Sequence, residues 1–286
     1  MKSKALLPVI FTVPFVFCVS GVLAGDAARA RAEGARSRLE ATEAGRVVLR
    51  SFGFHGTLRS WYSGGALRFR YDYHPIDETK TRRDTTQTVN LLNSTVYHSV
   101  HQPVEGLMAF DGKRAWSTFP PEQIATRFWC LTPYYFVAMP FVFADPGANL
   151  EIVDDDPEAA GLPASTVIRV TFGEDVGDAP DDYYIAYFAK DDGRLLAIRY
   201  IVSYAPFFSE SDSKHSPEKL LVFERFESSG PVRLARTHST YAFSDGRRGE
   251  KVTTSTVSDV AYGVSFEASR LVPPAGAMID RSLDSD

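Results

Sequence analysis

Residues 66–74 have the sequence Ala-Leu-Arg-Phe-Arg-Tyr-Asp-Tyr-His, and this stretch decides the fold class. Leu67, Phe69, Tyr71 and Tyr73 alternate with charged or polar side chains. Because a strand turns successive side chains to opposite faces, the stretch predicts a strand with one face buried and the other in water. Strands of this kind are typical of antiparallel sheets.

The same alternation recurs along the chain, where tight-turn sequences separate the apolar runs. Further strands are predicted at 56–62, 182–189, 195–204, 218–227, 232–243 and 250–261. Gly64-Gly65 favours a hairpin between residues 56–62 and 66–74, and Asp192-Gly193 favours a second hairpin. About ten strands at regular spacing predict one large antiparallel sheet or barrel. Residues 252–257 are β-branched but barely apolar, which is typical of a solvent-facing strand or an edge strand.

Two segments depart from this alternation and favour helix. Residues 26–44 are rich in Ala, Arg and Glu, which predicts an N-terminal helix that stops at Gly45. The segment 128–143 carries no charged side chain, and Thr132-Pro133 predicts the start of a short helix that Pro140 ends. So many aromatic side chains are costly to expose, at about 25 cal/mol per Å². The segment is therefore either a buried connector or the wall or lid of an apolar cavity.

The first 24 residues have the organisation of a secretory signal peptide. Lys2 and Lys4 supply a basic start, an uncharged stretch follows, and Ala24 before Gly25 offers a small-residue cleavage site. We predict cleavage between Ala24 and Gly25 and export to the periplasm or the extracellular space. An uncleaved membrane anchor stays open as an alternative, since about 20 apolar residues can just span a bilayer.

Composition restricts the partners of the chain. Its formal net charge is −5, and removal of the signal would also remove two lysines. An acidic protein lacks the basic surface that nucleic acid requires, so no nucleic-acid partner is expected. Cys130 would remain alone after cleavage, because Cys18 lies in the signal, where Phe17 before it disfavours lipid attachment. An intramolecular disulfide and a cysteine-based zinc cage are therefore excluded.

The sequence contains no motif that names a reaction. It has no G-x-S-x-G elbow, no phosphate-binding loop and no G-x-G-x-x-G. His98 and His101 have metal-pair spacing only on a helix, and the strand predicted around them would point them to opposite faces. Residues 154–156 and 181–182 are acidic, but without the glycine and glutamate of a calcium loop they favour ordinary turns. We therefore expect no metal and no cofactor.

Three segments together resemble a known family. Residues 110–116 (FDGKRAW) match a turn between two central strands, residues 184–195 (YIAYFAKDDGRL) match a hairpin, and residues 128–136 (FWCLTPYYF) match an aromatic segment. With the export signal, they resemble the outer-membrane lipoprotein-sorting superfamily, which includes the LolA-like carriers, and within it a secreted branch. The likeness covers most of residues 30–270. It implies a strongly curved antiparallel half-barrel, mainly β, with helices covering its concave face.

In the family the carriers hold acyl chains in the apolar hollow of the half-barrel. The expectation is therefore a non-enzymatic envelope protein, with one such domain over residues 25–286, that binds a hydrophobic small molecule or lipid; an envelope lipoprotein is a candidate cargo. The predicted ligand-binding residues are Trp61, Phe69, Tyr71, Trp116, Phe128, Trp129, Tyr135, Phe136 and Phe141. Two alternatives stay open: a secreted enzyme whose site assembles from distant residues, and a structural or protein-binding module.

Overall fold

The strand predicted at residues 66–74 lies near the middle of the sheet. In the computed structural model, which describes residues 17–173, 176–179 and 181–283 with side chains from residue 25 onward, it is strand β1 (Ala66–Pro75). Leu67, Phe69 and Tyr71 are buried, as the alternation predicts. Antiparallel neighbours pair with both of its edges.

Thirteen strands form a single antiparallel sheet over the described residues. After β1 they are β2 (Arg83–Asn90), β3 (Val96–Gln102), β4 (Gly106–Phe110), β5 (Ala115–Ser117), β6 (Ala148–Ile152), β7 (Ser165–Phe172), β8 (Tyr184–Ala189), β9 (Leu195–Tyr200), β10 (Lys219–Ser229), β11 (Val232–Ser244), β12 (Arg247–Val264) and β13 (Met278–Asp280). Their order across the sheet is β13-β5-β4-β3-β2-β1-β12-β11-β10-β9-β8-β7-β6. The sheet does not close into a barrel, which confirms the predicted curved half-barrel.

Four α-helices accompany the sheet in the described ranges: α1 (Phe17–Glu40), α2 (Glu43–His55), α3 (Leu58–Ser63) and α4 (Thr126–Ala138). Short 3₁₀ segments occur at Phe141–Ala144, Ala205–Phe207 and Ala268–Leu271. The main hydrophobic core lies between the helices and one face of the sheet. None of the helices in these ranges combines the length and apolar character that a bilayer crossing requires.

The opposite face of the sheet carries two smaller apolar clusters. One surrounds Tyr187 and Phe243, and the other joins Tyr97 and Trp116 to Phe266. Side chains one residue apart on the same strand therefore enter different clusters; Tyr184 packs in the main core and Ile185 on the other face. This is the two-faced strand geometry that the alternation predicts.

The N-terminal helix differs from its prediction at its C-terminal end. The helix predicted at 26–44 ends at Glu40. Gly45 lies in the first turn of α2, so the prediction that Gly45 ends the N-terminal helix is wrong. Its N–H donates to Thr42 Oγ1 at 3.0 Å, because Thr42 caps α2. α1 runs without interruption through Ala24 and Gly25, the predicted cleavage site. Residues 1–16 of the predicted signal lie outside the described residues.

Two strand predictions are also wrong. Residues 56–62 are not the first arm of a hairpin but contain α3, which the hydroxyl of Thr57 caps, and Gly64-Gly65 joins this helix to β1. For residues 252–257 the edge alternative is wrong, because β12 lies between β1 and β11; Thr256 is exposed, as a solvent-facing strand requires. Their small side chains are partly buried: Thr253 and Ser255 face inward among other polar groups.

The aromatic segment 128–143 is helical, but its helix starts earlier than predicted. α4 begins at Thr126, so Thr132 is not its cap and Pro133 lies in its middle. The Thr132 hydroxyl donates instead to the Phe128 carbonyl at 2.8 Å. The helix ends before Pro140, as predicted, and a 3₁₀ turn follows. The turn at residues 110–116 and the hairpin at residues 184–195 form as the resemblance implies.

Candidate ligand site beneath the aromatic helix

Helix α4 is aromatic around most of its circumference and has two different sides. Trp129, Cys130 and Tyr134 are buried toward the sheet. Phe128 and Phe136 are only half-buried. Both rings line a gap between α4 and the sheet, whose other walls come from β1, β2, β7, β8, β9 and β10.

The gap has two lobes. The Tyr135 lobe, about 110 Å³, is walled by Leu131, Tyr135, Phe172, Tyr184 and Tyr204, with Arg127 paired to Asp178 at its edge. The Trp129 lobe, about 160 Å³, is walled by Tyr71, Tyr73, Ile124, Trp129 and Phe207, together with Arg83 and Lys219. Both lobes share the side chains of Phe128, Thr132, Phe136, Tyr200 and Val202. They are therefore adjacent compartments on either side of one aromatic partition.

The partition is built from edge-to-face ring contacts. Phe136 meets Tyr200 with ring centroids 5.3 Å apart, and Phe128 meets Phe207 at 4.8 Å. On the other side of the Trp129 lobe, Trp129 contacts Tyr73 at 5.6 Å. Such pairs hold their geometry while leaving ring faces free to contact a ligand. Phe207, which contacts the partition through Phe128, is 46% exposed, so the Trp129 lobe reaches the surface there.

Several buried polar atoms under α4 have no hydrogen-bond partner in the described part of the chain. They are Gln87 Oε1, His98 Nδ1, Trp129 Nε1 and His238 Nε2. His98 Nε2 lies 3.1 Å from the Cys130 carbonyl, and His238 Nδ1 lies 3.4 Å from the Tyr71 hydroxyl. Burial lowers the pKa of each of these two histidines to about 3, so both rings are neutral at pH 7.

The two lobes offer binding surface rather than reactive groups. Among the described residues, no histidine, cysteine or serine lines either lobe. The nearby Cys130 is buried, and burial raises the pKa of its thiol well above the ordinary value, which leaves it unreactive. No cluster of three metal-ligating side chains occurs within the described ranges. The arrangement can therefore hold an apolar molecule by contact and desolvation.

The structure brings five of the nine predicted ligand-binding residues to this gap: Tyr71, Phe128, Trp129, Tyr135 and Phe136. Trp61 and Phe141 stack on each other at 4.3 Å in the core beneath α1. Phe69 is fully buried in the same core.

Trp116 lies on the opposite face of the sheet, where its indole N–H donates to the Leu271 carbonyl at 2.7 Å. The remaining wall residues, among them Tyr73, Tyr200, Tyr204 and Phe207, were not singled out by sequence. The alternation at 195–204 could have placed Tyr200 on an inward face, but not beside α4.

The other sequence candidates lie apart from the gap. His98 and His101 occupy β3 and point to opposite faces, as the strand prediction required; His101 Nε2 lies 2.9 Å from Thr86 Oγ1. Asp155 forms an ion pair with Arg199 on the opposite face of the sheet. Asp182 accepts from the Ser203 backbone and hydroxyl at the rim of the Tyr135 lobe.

Comparison with known proteins places the fold. A LolA superfamily protein from Nitrosomonas europaea matches with a TM-score of 0.51 and 9% identity, over 81% of this chain and 98% of that one. This chain shares the fold of that LolA superfamily protein. A DUF1329 family protein from Desulfovibrio piger matches with a TM-score of 0.50 and 10% identity, over 86% and 97% of the two chains. At such identities the likeness extends to the fold alone. No family model and no curated protein matches the sequence.

Proposed function

We propose that this protein is an exported envelope protein that binds a hydrophobic ligand, a lipid or acyl chain, in the gap between α4 and the half-barrel. The observation that supports the proposal is the two-lobed, aromatic gap itself, which opens beside the half-exposed ring of Phe207. An apolar ligand would cover ring surface that otherwise contacts water, at about 25 cal/mol per Å² of apolar area. The LolA-like fold supports the same reading, because it supplies a curved sheet with helices over its concave face.

The size of the gap determines how such a ligand enters. Lobes of about 110 and 160 Å³ are smaller than the roughly 300–1,000 Å³ of ordinary small-molecule sites. Binding of a whole acyl chain therefore requires α4 and the 3₁₀ segment Ala205–Phe207 to move apart. These two elements meet through the contact between Phe128 and Phe207, so that contact is the point at which the gap widens.

Binding is tested with dodecanol, an uncharged twelve-carbon amphiphile, by titration calorimetry and by native mass spectrometry of the mildly purified protein. We expect saturable binding of one ligand, and the double variant Phe128→Ala/Phe136→Ala should weaken it about tenfold, since two wall rings are removed. The matched control is Phe266→Ala, which removes a half-buried ring on the opposite face. Absence of binding by the native chain, or equal weakening by the control, would rule the proposal out.

Export is tested separately from ligand binding. Expression of the full chain in a Gram-negative host, followed by fractionation and intact-mass measurement, should give an envelope or secreted protein that lacks residues 1–24. A mature mass that retains these residues would favour the uncleaved anchor.

A further inference from the structure

Two half-buried cations face the Trp129 lobe. Arg83 is the first residue of β2, and Lys219 is the first residue of β10. β2, β12 and β10 run in the same direction, because β1 and β11 separate them in an antiparallel order. The first residues of β2 and β10 therefore lie at the same rim of the half-barrel, and the curvature of the sheet brings both side chains to one lobe.

These cations differ from their neighbours in having no carboxylate partner among the described residues. Arg70 pairs with Asp84 at 2.6 Å, and Arg82 pairs with Asp72 at 2.6 Å. Arg83 stands between Arg82 and Asp84 in the sequence but forms no ion pair with any described residue. Its guanidinium lies instead 5.3 Å from the Trp129 ring centroid and 5.9 Å from that of Tyr73. Lys219 likewise forms no ion pair in the described ranges.

Both cations are held at an energetic cost. Burial lowers the pKa of Arg83, and burial followed by the charge of the neighbouring Lys80 lowers the pKa of Lys219. The chain has a net charge of −5, yet the carboxylates next to these cations in sequence pair elsewhere: Asp84 with Arg70 and Glu218 with Arg199. An anion in the lobe would relieve the cost by supplying the missing partner.

The chemistry of that anion follows from the two donors and from the wall. A guanidinium presents a planar fork that matches the two oxygens of a carboxylate or phosphate, and an ammonium adds a point charge. The rest of the lobe is aromatic and continues, past the shared partition of Phe128 and Phe136, into the Tyr135 lobe. A group with an anionic head and an apolar tail fits both parts at once.

We propose that the ligand is an anionic amphiphile whose carboxylate or phosphate headgroup is bound by Arg83 and Lys219, while its chain occupies the aromatic lobes. This inference rests on the proposed function and adds the charge of the ligand and the direction in which it lies. The headgroup lies at the rim with the first residues of β2 and β10, and the tail points past Phe136 toward the Tyr135 lobe.

The experiment compares probes that share one chain and differ in the head. Calorimetry measures dodecanoate, dodecyl phosphate, dodecanol and dodecyltrimethylammonium on the full mature chain, with inorganic phosphate and acetate as heads without a tail. We expect one or both anionic amphiphiles to bind about tenfold or more tightly than dodecanol, the effect of charge-assisted hydrogen bonds. The preference between dodecanoate and dodecyl phosphate identifies the headgroup, and the tail-free anions should bind weakly.

The matched variants remove the charges and keep polar side chains. Arg83→Gln/Lys219→Gln should bring the affinity for the anionic amphiphiles down to the affinity that the same variant shows for dodecanol. The control is Lys190→Gln/Arg247→Gln, which removes the same charge from two exposed positions. Circular dichroism and urea denaturation check that both double variants fold.

The possible results separate this inference from the proposed function. Equal binding of dodecanol and the anionic amphiphiles, or an anion preference that survives Arg83→Gln/Lys219→Gln, would overturn the headgroup site while the apolar site stands. Tight binding of inorganic phosphate alone would likewise overturn it, in favour of a free-anion site. If no probe with a dodecyl chain binds, the proposed function and this inference both fail.

Discussion

The helix-covered face of the sheet contains two regions that are packed in opposite ways. Beneath α1, α2 and α3, the rings of Phe52, Phe141 and Trp61 form a parallel stack, with centroids 5.3 and 4.3 Å apart and planes within 9°. Beneath α4, the rings meet edge to face around two lobes. We call the first the filled region because its rings contact one another directly, although Phe52 also lines a groove of about 460 Å³ among α1, α2 and α3. Residues 128–143 supply rings to both regions.

The two regions also differ in how far their buried polar atoms find hydrogen-bond partners. In the first, both ring nitrogens of His55 have partners: Nε2 accepts from the Leu195 N–H at 3.1 Å, and Nδ1 lies 3.3 Å from the Arg233 carbonyl. In the second, His98 and His238 each leave one buried nitrogen without a partner in the described ranges. Arg31 Nε, on α1, also lacks a partner, so the difference is one of number: four of the six such atoms in the described ranges lie on or under α4. Because native proteins satisfy most buried polar atoms, this excess points to a region kept for something other than stability.

The largest expected effect is the loss of stability when the filled region is disrupted. Trp61→Ala should lower the free energy of unfolding by about 3–5 kcal/mol, because the indole is fully buried in a stack that cannot collapse around the space. Phe128→Ala at the gap should cost clearly less, since its ring is already half-exposed. Urea denaturation of both variants measures the difference. Equal costs would mean that the two regions are packed alike.

The second effect concerns the buried histidines and has a definite sign. The pKa of His98 is about 3 in the folded protein, below the ordinary value near 6.5, because burial disfavours the charged ring. Between these values the unfolded chain binds a proton that the folded protein does not. Stability is therefore fully present above pH 6.5 and is lost as the pH falls toward 3.

His98→Gln keeps a donor for the Cys130 carbonyl and removes the titrating ring. We expect the stability lost between pH 7 and pH 5 to be smaller in this variant by roughly 1–2 kcal/mol. His238 and His55 contribute in the same direction and remain, so part of the loss persists. His74→Gln, at an exposed position of β1, is the control and should keep the native dependence. A loss in His98→Gln as large as in the native chain would contradict the assignment.

The sheet and the filled region could be predicted from the sequence more completely than the gap. The alternation at 66–74 fixes which side of β1 is buried, because that property is local to one strand. Residues 56–62 were predicted as a strand, although Leu58 and Trp61, three residues apart and both buried, share a face only on a helix. The hydroxyl of Thr57 caps that helix. The position of β12 depends on which strands it meets, so its small polar residues suggested an edge although they are central.

The gap itself was predicted only in part, for a physical reason. Phe128, Trp129, Tyr135 and Phe136 are close in sequence, and their uncharged surroundings indicate that they must be covered. Arg83 and Lys219 lie on strands that are far apart along the chain, and only the curvature of the sheet brings them to one lobe. Each looks like an ordinary surface cation in sequence, because the absence of a carboxylate partner is a property of the folded chain.

The smallest expected effect is on ligand affinity, and its experiment tests which of the two regions holds the ligand. The chain has three tryptophans, of which Trp61 lies in the filled region, Trp129 in the gap and Trp116 on the opposite face. Trp129→Phe should change the affinity for dodecanol by about threefold or less, because most of the apolar contact area is kept. It should nevertheless abolish the change in tryptophan emission that dodecanol causes, whereas Trp61→Phe and Trp116→Phe should retain that change. A ligand-induced signal that disappears only in Trp61→Phe would move the ligand to the stacked core and reverse the assignment of the two regions.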